Sequence, residues 1–152
     1  MSQTNLKRGK QEINAPFHIK STGVSLVVIL AIGSYFIANV LALLPSEQAV
    51  PDGALSLTIV TIVLIAVVQA TLQIVLFIGA GKIEEEAEQD KAVSAKAARN
   101  AYLVMVIGVF ATFASMFADF TPFEMGSLLM GAFLLAEITN FASQIVYYRR
   151  SA

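Results

Sequence analysis

One acidic residue, Glu137, lies near the middle of a long apolar segment of the sequence. A carboxyl group at such a position is costly to bury in hydrocarbon and normally faces protein groups that bind it. Two amide residues, Asn140 and Gln144, follow three and seven positions later, which places all three side chains on one face of a helix. The chemistry open to this face is the binding of a proton, a cation or a hydrogen-bonding amide.

Two other apolar segments carry polar residues with helical spacing. Gln69 and Gln73 are four residues apart in one segment, and Tyr35 and Asn39 are four apart in another. We expect these stripes to meet in a common interior, where Glu137 accepts a hydrogen bond from Gln69, Gln73 or Asn39. Such a cluster either holds the helices together through interhelical hydrogen bonds or forms a proton or cation site in which Glu137 titrates.

The elements that must position these residues are predicted to be membrane-spanning helices. Of the 152 residues, 57% are hydrophobic and only 14% are charged, whereas soluble domains carry about 25% charged residues. Four apolar segments are long enough to cross a hydrocarbon core about 30 Å thick as helices. Their uninterrupted apolar character is unlike the alternating strands of a barrel. The predicted helices cover residues 24–44, 54–80, 101–118 and 123–148.

The positive charges are distributed unevenly between the connections. All ten Lys and Arg residues lie in residues 1–23, in the connection 81–100 or in the tail 149–152, and the connections 45–53 and 119–124 contain none. Lys and Arg are enriched in cytoplasmic loops, so both termini and the central connection are predicted to be cytoplasmic. The fold predicted for this single membrane domain is an all-α, antiparallel bundle of four transmembrane helices in the inner (plasma) membrane.

The central connection is predicted to be helical and strongly charged. Residues 82–100 contain neither Pro nor Gly and are rich in Ala, Glu and Lys, so the flanking helices are expected to continue into them. The segment is either a solvated connector whose basic end lies at anionic headgroups or a docking surface for a cytoplasmic protein. The candidate contact residues, acids first and bases after, are Glu84, Glu85, Glu86, Glu88, Asp90, Lys91, Lys96 and Arg99.

Several kinds of chemistry find no support in the sequence. The chain has no Cys and a single His, His18, so a cluster of Cys or His ligands for a metal cannot be assembled within it. Nucleotide-binding, zinc-protease and Ser/His/Asp patterns do not occur, and a net charge of −1 gives no basis for nucleic-acid binding. We therefore expect a non-enzymatic protein without catalytic residues, cofactor, metal or direct nucleic-acid contact.

Two stretches in the second half of the chain resemble motifs of a known protein group. Residues 88–102 resemble the pattern D-E-R-D-K-x-I-x-x-K-A-x-R-x-x-Y, and residues 136–150 resemble A-E-x(6)-Q-(L/I/V)-V-x-Y-R-R. Both patterns occur, in this order, in a largely uncharacterised family of small four-helix bacterial membrane proteins. The sequence departs from the first pattern at Ala87, where Asp is usual, and at Gln89, where Arg is usual.

The resemblance implies a regulatory partner. Genes of that family often lie beside genes for small helix-turn-helix regulators, which suggests a membrane protein that holds or informs a cytoplasmic regulator through its charged connection. Three functions stay open at this point. The chain is an accessory or regulatory membrane protein, a structural subunit of a membrane complex, or a small proton-coupled transporter that works as a homo-oligomer and uses Glu137.

Overall fold

The protein is seen here in a computed structural model, which describes the backbone of residues 2–45, 47–80 and 87–151 and the side chains of residues 20–45, 47–72, 74 and 91–150. Its regular structure within these ranges is entirely α-helical. The four helices are α1 (Ser2–Leu43), α2 (Ala54–Ala80), α3 (Ala87–Ser115) and α4 (Pro122–Ser151).

Each of these helices contains a stretch that is long and apolar enough to cross a membrane. A helix satisfies its backbone N–H and C=O groups internally, which is what a segment surrounded by lipid requires. The stretches are Lys20–Leu43, Ala54–Leu72, Lys91–Ser115 and Pro122–Arg150.

The helices differ from the predicted segments mainly at their ends. α1 begins at Ser2, well before the predicted start at residue 24, because hydropathy marks where an apolar span begins and not where the helix begins. α2 covers the predicted residues. α3 begins at Ala87, so the expected helical extension is present from residue 87 to residue 100, while residues 81–86 lie outside the described part of the chain.

Two short turns, residues 44–53 and 116–121, lie together at one end of the bundle, which we call the turn end. The backbone N–H of Phe123 donates to the carbonyl of Ala49 at 3.3 Å, which joins the first turn to the start of α4. The start of α4 is capped: the Thr121 N–H donates to Glu124 Oε2 at 2.7 Å, and the Glu124 N–H donates to Thr121 Oγ1 at 3.3 Å. This reciprocal pair is a capping box, and it fixes where α4 begins.

The helices pack in the order α2, α1, α4, α3, with each helix antiparallel to the next. α3 packs on α4, α4 on α1 and α1 on α2, and within the described residues α2 and α3 share no comparable interface. α1 and α4 are therefore the central helices, while α2 also reaches α4 through a side-chain hydrogen bond. The buried apolar side chains that join α1, α2 and α4 are Ile29, Ile32, Phe36, Val40, Ala54, Leu57, Ile65, Phe123, Leu134 and Phe141.

Candidate functional site

Glu137 is joined to α2 by a side-chain hydrogen bond. Gln69 Nε2 donates to Glu137 Oε2 at 2.7 Å, and both side chains are half-buried. Gln69 lies 15 residues after the first residue of α2, and Glu137 lies 15 residues after the first residue of α4. Both are thus about 22 Å from the turn end, and because α2 and α4 run in the same direction from that end, the two residues lie at the same level. Glu137 was expected to accept a hydrogen bond from Gln69, Gln73 or Asn39, and the structure shows Gln69 as the donor.

The predicted contribution of α1 to this cluster is wrong. Asn39 Nδ2 donates at 2.8 Å to the carbonyl of Tyr35 in its own helix, and the Tyr35 side chain is 44% exposed. The reason is the height of these residues in the bundle. Asn39 is only four residues from Leu43, the last residue of α1, so it lies about 6 Å from the turn end. Residue spacing places side chains on one face of a helix, but it does not give their height relative to residues of a neighbouring helix.

The other predicted polar residues of α4 interact with each other. Gln144 Nε2 donates to Asn140 Oδ1 at 3.2 Å, one helical turn apart in α4. Gln73 lies in α2, but its side chain is outside the described residues. The predicted cluster thus consists, as far as it is described, of one contact between helices and one pair within a helix.

A second polar contact between helices was missed by the sequence reasoning. Asn100 Nδ2 in α3 lies 3.2 Å from Ser143 Oγ and 3.0 Å from Tyr147 Oη, both in α4. Ser143 and Tyr147 are one turn apart and so face the same neighbour. The available signal was the position of Asn100 at the start of an apolar span, where an amide usually needs a partner.

Close approach of the backbones supports this contact. A Cβ atom added to Gly108 in α3 would overlap with the Cβ atom of Ala132 in α4. Toward the charged segment, Val93 and Ala97 of α3 are buried, Ala97 with no exposed surface at all. Small residues at an interface allow helices to approach closely enough for dense van der Waals packing. The α3–α4 pair is therefore held both by packing and by the Asn100 hydrogen bonds.

The basic residues of the charged connection lie on the outside of α3. Lys91, Lys96 and Arg99 are exposed, and the Lys96 ammonium lies 6.0 Å from the centre of the Tyr147 ring, at the outer limit of a cation–π contact. We call the surface formed by Lys91, Lys96 and Arg99 the α3 basic surface. Arg149 and Arg150 are also exposed, at the same end of the bundle. This end is called the charged end.

The acidic residues of the connection are only partly covered by the structure. Glu88 and Asp90 belong to the first turn of α3, but their side chains are not among those described. Glu84, Glu85 and Glu86 lie outside the described residues altogether. The structure thus places the basic half of the predicted contact surface and leaves the acidic half as a prediction.

Two further observations complete the description of candidate sites. Among the side chains that the structure describes, no group of three His, Asp or Glu residues lies close enough to hold a metal ion. In comparisons with known proteins, no family model, no curated protein and no solved structure matches this chain.

Proposed function

We propose that the chain is an inner-membrane protein whose termini and charged end face the cytoplasm. The orientation follows from the confinement of all ten Lys and Arg residues to the two tails and the central connection. Its support from the structure is that Lys20, the α3 basic surface, Arg149 and Arg150 all lie at the end of the bundle opposite the turns.

In that orientation, the protein acts as a non-enzymatic accessory or regulatory protein that binds a soluble cytoplasmic partner. The observation that carries this proposal is that the α3 basic surface is exposed on a part of α3 that is held in place by the bundle. Val93 and Ala97 anchor the inner face of this part of α3, and Asn100 ties it to Ser143 and Tyr147 of α4. A helix anchored in this way loses little conformational entropy when a partner binds, which favours association.

The charge of the surface indicates the kind of partner. Three bases spaced five and three residues apart face water on two successive turns, with five acidic residues immediately before them in the sequence. A partner with its own acidic and basic patches in the complementary order would associate quickly and in one register, because electrostatic complementarity governs encounter rate and orientation. We take this partner to be a small cytoplasmic regulator, as the sequence resemblance implies, which carries such acidic and basic patches.

The test is a co-purification in mild detergent from the native host, followed by mass spectrometry. We expect a soluble partner with the native chain and at least a tenfold lower yield when Lys91, Lys96 and Arg99 are changed to Gln. A second variant carries Gln at the acidic positions Glu84, Glu85, Glu86, Glu88 and Asp90. The matched control changes Arg149 and Arg150 to Gln, which removes charge from the same end without touching α3.

The outcomes separate the proposed partner-binding role from its alternatives. If the variant with Gln at Arg149 and Arg150 loses the partner to the same extent, the contact is a nonspecific attraction between charges. Recovery of a membrane complex in fixed ratio, unaffected by either α3 variant, would favour a structural subunit instead.

A proton-coupled transporter is the second candidate, and the Gln69–Glu137 contact is the observation that favours it. A carboxyl group near mid-span with a polar partner is the kind of group that marks proton and ion pathways in membrane proteins. The discriminating assay measures proton flux in liposomes that contain the purified chain or its Glu137→Gln variant. Flux that the substitution abolishes would support transport, whereas equal background flux in both would leave Glu137 as a packing contact.

A further inference from the structure

A groove of about 510 Å³ runs between α1 and α2 in the half of the bundle nearer the charged end. It lies beyond the large buried side chains, such as Phe36, Val40 and Leu57, that join the two helices nearer the turn end. The residues that line it are Lys20, Ser21, Val24, Ser25, Val28, Val67, Val68, Thr71 and Leu72.

The interior of this groove is effectively apolar. Five of its lining residues are Val or Leu, among which Val28, Val68 and Leu72 pack against the core and form the floor. Three hydroxyl residues line it, and two of these hydroxyl groups are bonded to their own helices: Ser25 Oγ donates to the carbonyl of Ser21 and Thr71 Oγ1 to that of Val67, each at 2.8 Å. A polar ligand would find few free partners there, whereas a hydrocarbon chain needs none.

The dimensions and opening of the groove suit one lipid chain. From Lys20 to Val28 the groove extends over eight residues of α1, or about 12 Å. The hydrocarbon of one leaflet is about 15 Å deep, so the groove covers most of that depth. Its rim is open to the surroundings, since Val24 is 64% exposed and Val67 is 58% exposed. A lipid can therefore enter sideways from the bilayer.

One charge marks the end of the groove. Lys20, the first residue of the apolar stretch of α1, is exposed and lines the groove at the charged end of the bundle. An ammonium group at headgroup level beside an apolar cleft between helices favours an anionic lipid over a zwitterionic one. Among the described residues that line the groove, Lys20 is the only base, so the proposed selectivity depends on it.

We propose that the α1–α2 groove is a binding site for an anionic glycerophospholipid, with one acyl chain along Val24, Val28 and Val67 and the phosphate beside Lys20. The site requires only that the helices span a bilayer. It is independent of the proposed cytoplasmic partner, so either proposal can fail without the other.

The test uses the full chain in nanodiscs that contain a photoactivatable phosphatidylglycerol with the reactive group on its acyl chain. We expect crosslinks to peptides that contain Val24 or Val67. A competition with unlabelled phosphatidylglycerol should displace the probe, and the same amount of phosphatidylcholine should be about fivefold less effective, because one Lys at headgroup level confers a preference of about that size.

Two matched pairs of variants localise the effect. Val24→Phe fills the groove, while Val27→Phe adds the same volume to an α1 residue of nearly equal exposure, 66%, that does not line it. The first should reduce crosslinking at least fivefold and the second should leave it unchanged. Lys20→Gln should remove the preference for the anionic headgroup, and Lys91→Gln should retain it.

Three results would overturn the proposal. One is crosslinking spread evenly over all lipid-facing helices. Another is an equal response to the Val24 and Val27 substitutions. The third is efficient disulfide formation between two copies that carry Val24→Cys, which would show that a second copy of the chain, and not a lipid, covers the groove. The chain has no native Cys to complicate this measurement.

Discussion

The two halves of the bundle use different side chains to bring their helices together. α3 and α4 meet through small and polar residues, with Gly108 against Ala132 and Asn100 bonded to Ser143 and Tyr147. α1 and α2 meet through large aliphatic and aromatic side chains, and a groove opens between them toward the charged end. One interface thus uses small and polar residues, and the other uses large apolar residues beside an open groove.

The difference shows how helix association works without a hydrophobic driving force. Lipid tails are as apolar as Leu or Val, so burying such residues between helices gains little, and close packing and hydrogen bonds decide which helices stay together. The α3–α4 pair has both. This explains why α3 can hold its charged extension in a fixed place although it contacts little of the bundle beyond α4.

The largest effect should come from adding one methyl group to the α3–α4 contact. Gly108→Ala is expected to lower the free energy of unfolding by about 1–3 kcal/mol, the usual cost of overpacking, because its Cβ overlaps with that of Ala132. The measurement is reversible unfolding in mixed micelles of mild detergent and dodecyl sulfate.

Gly131→Ala is the control for that substitution. A Cβ added at Gly131 has no neighbouring atom within 4 Å, so this change should be neutral or stabilising by up to about 1 kcal/mol through helix propensity. Equal behaviour of the two alanine variants would contradict the close packing of α3 on α4.

Removal of the Asn100 side chain should have the next largest effect. Asn100→Ala loses two hydrogen bonds to α4, and interhelical bonds of this kind average about 0.6 kcal/mol each. We expect a loss of about 1 kcal/mol in the same unfolding assay, with a coupling to Ser143→Ala in a double-mutant cycle. Asn39→Ala is the comparison, because Asn39 bonds only within α1. If both alanine variants unfold alike, the Asn100 bonds do not join the two helices.

Glu137→Gln should change stability by less than about 0.5 kcal/mol, because the amide oxygen of Gln still accepts a hydrogen bond from Gln69. Glu137→Leu should cost about 1 kcal/mol more, since it leaves the Gln69 amide without this partner. The same unfolding assay ranks the two variants. A large loss for Gln together with a small loss for Leu would refute the role of this contact as a link between α2 and α4.

The smallest effect is expected at Thr61, although this residue is completely buried in α2. Its hydroxyl group donates to the carbonyl of Leu57 in the same helix at 2.8 Å, so it does not contribute to association of α1 with α2. Thr61→Val keeps the shape and should shift the unfolding free energy by no more than about 0.5 kcal/mol. A loss above 1 kcal/mol would mean that α1 and α2 depend on polar contacts as α3 and α4 do.

The sequence predicted the helices better than the contacts between them. Long apolar segments and the helix-forming composition of residues 82–100 are local properties, and the structure has helices over the apolar segments and over the described residues 87–100 of the connection. The Gln69–Glu137 contact was also predictable, since both residues lie near the middle of their spans, and mid-span groups of two membrane helices lie at about one level.

The failures concern relations between helices. Asn39 was grouped with Glu137 because both lie on polar stripes. At a rise of 1.5 Å per residue, however, Asn39 lies about 16 Å nearer the turn end than Glu137. The Asn100 contact and the α1–α2 groove depend on which helices are neighbours. The order α2, α1, α4, α3 follows from packing of side chains on several helices at once, which hydropathy does not report.

The measurement that tests the account most directly is the side of the membrane on which the α3 basic surface lies. Because the chain has no Cys, single substitutions at two exposed positions, Ser94→Cys on α3 and Glu47→Cys at the turn end, can be labelled cleanly with a membrane-impermeant maleimide. The account predicts that intact spheroplasts label position 47 and that inside-out vesicles label position 94. The reverse pattern, or labelling of both positions from one side, would contradict the proposed orientation and with it the binding of a cytoplasmic partner.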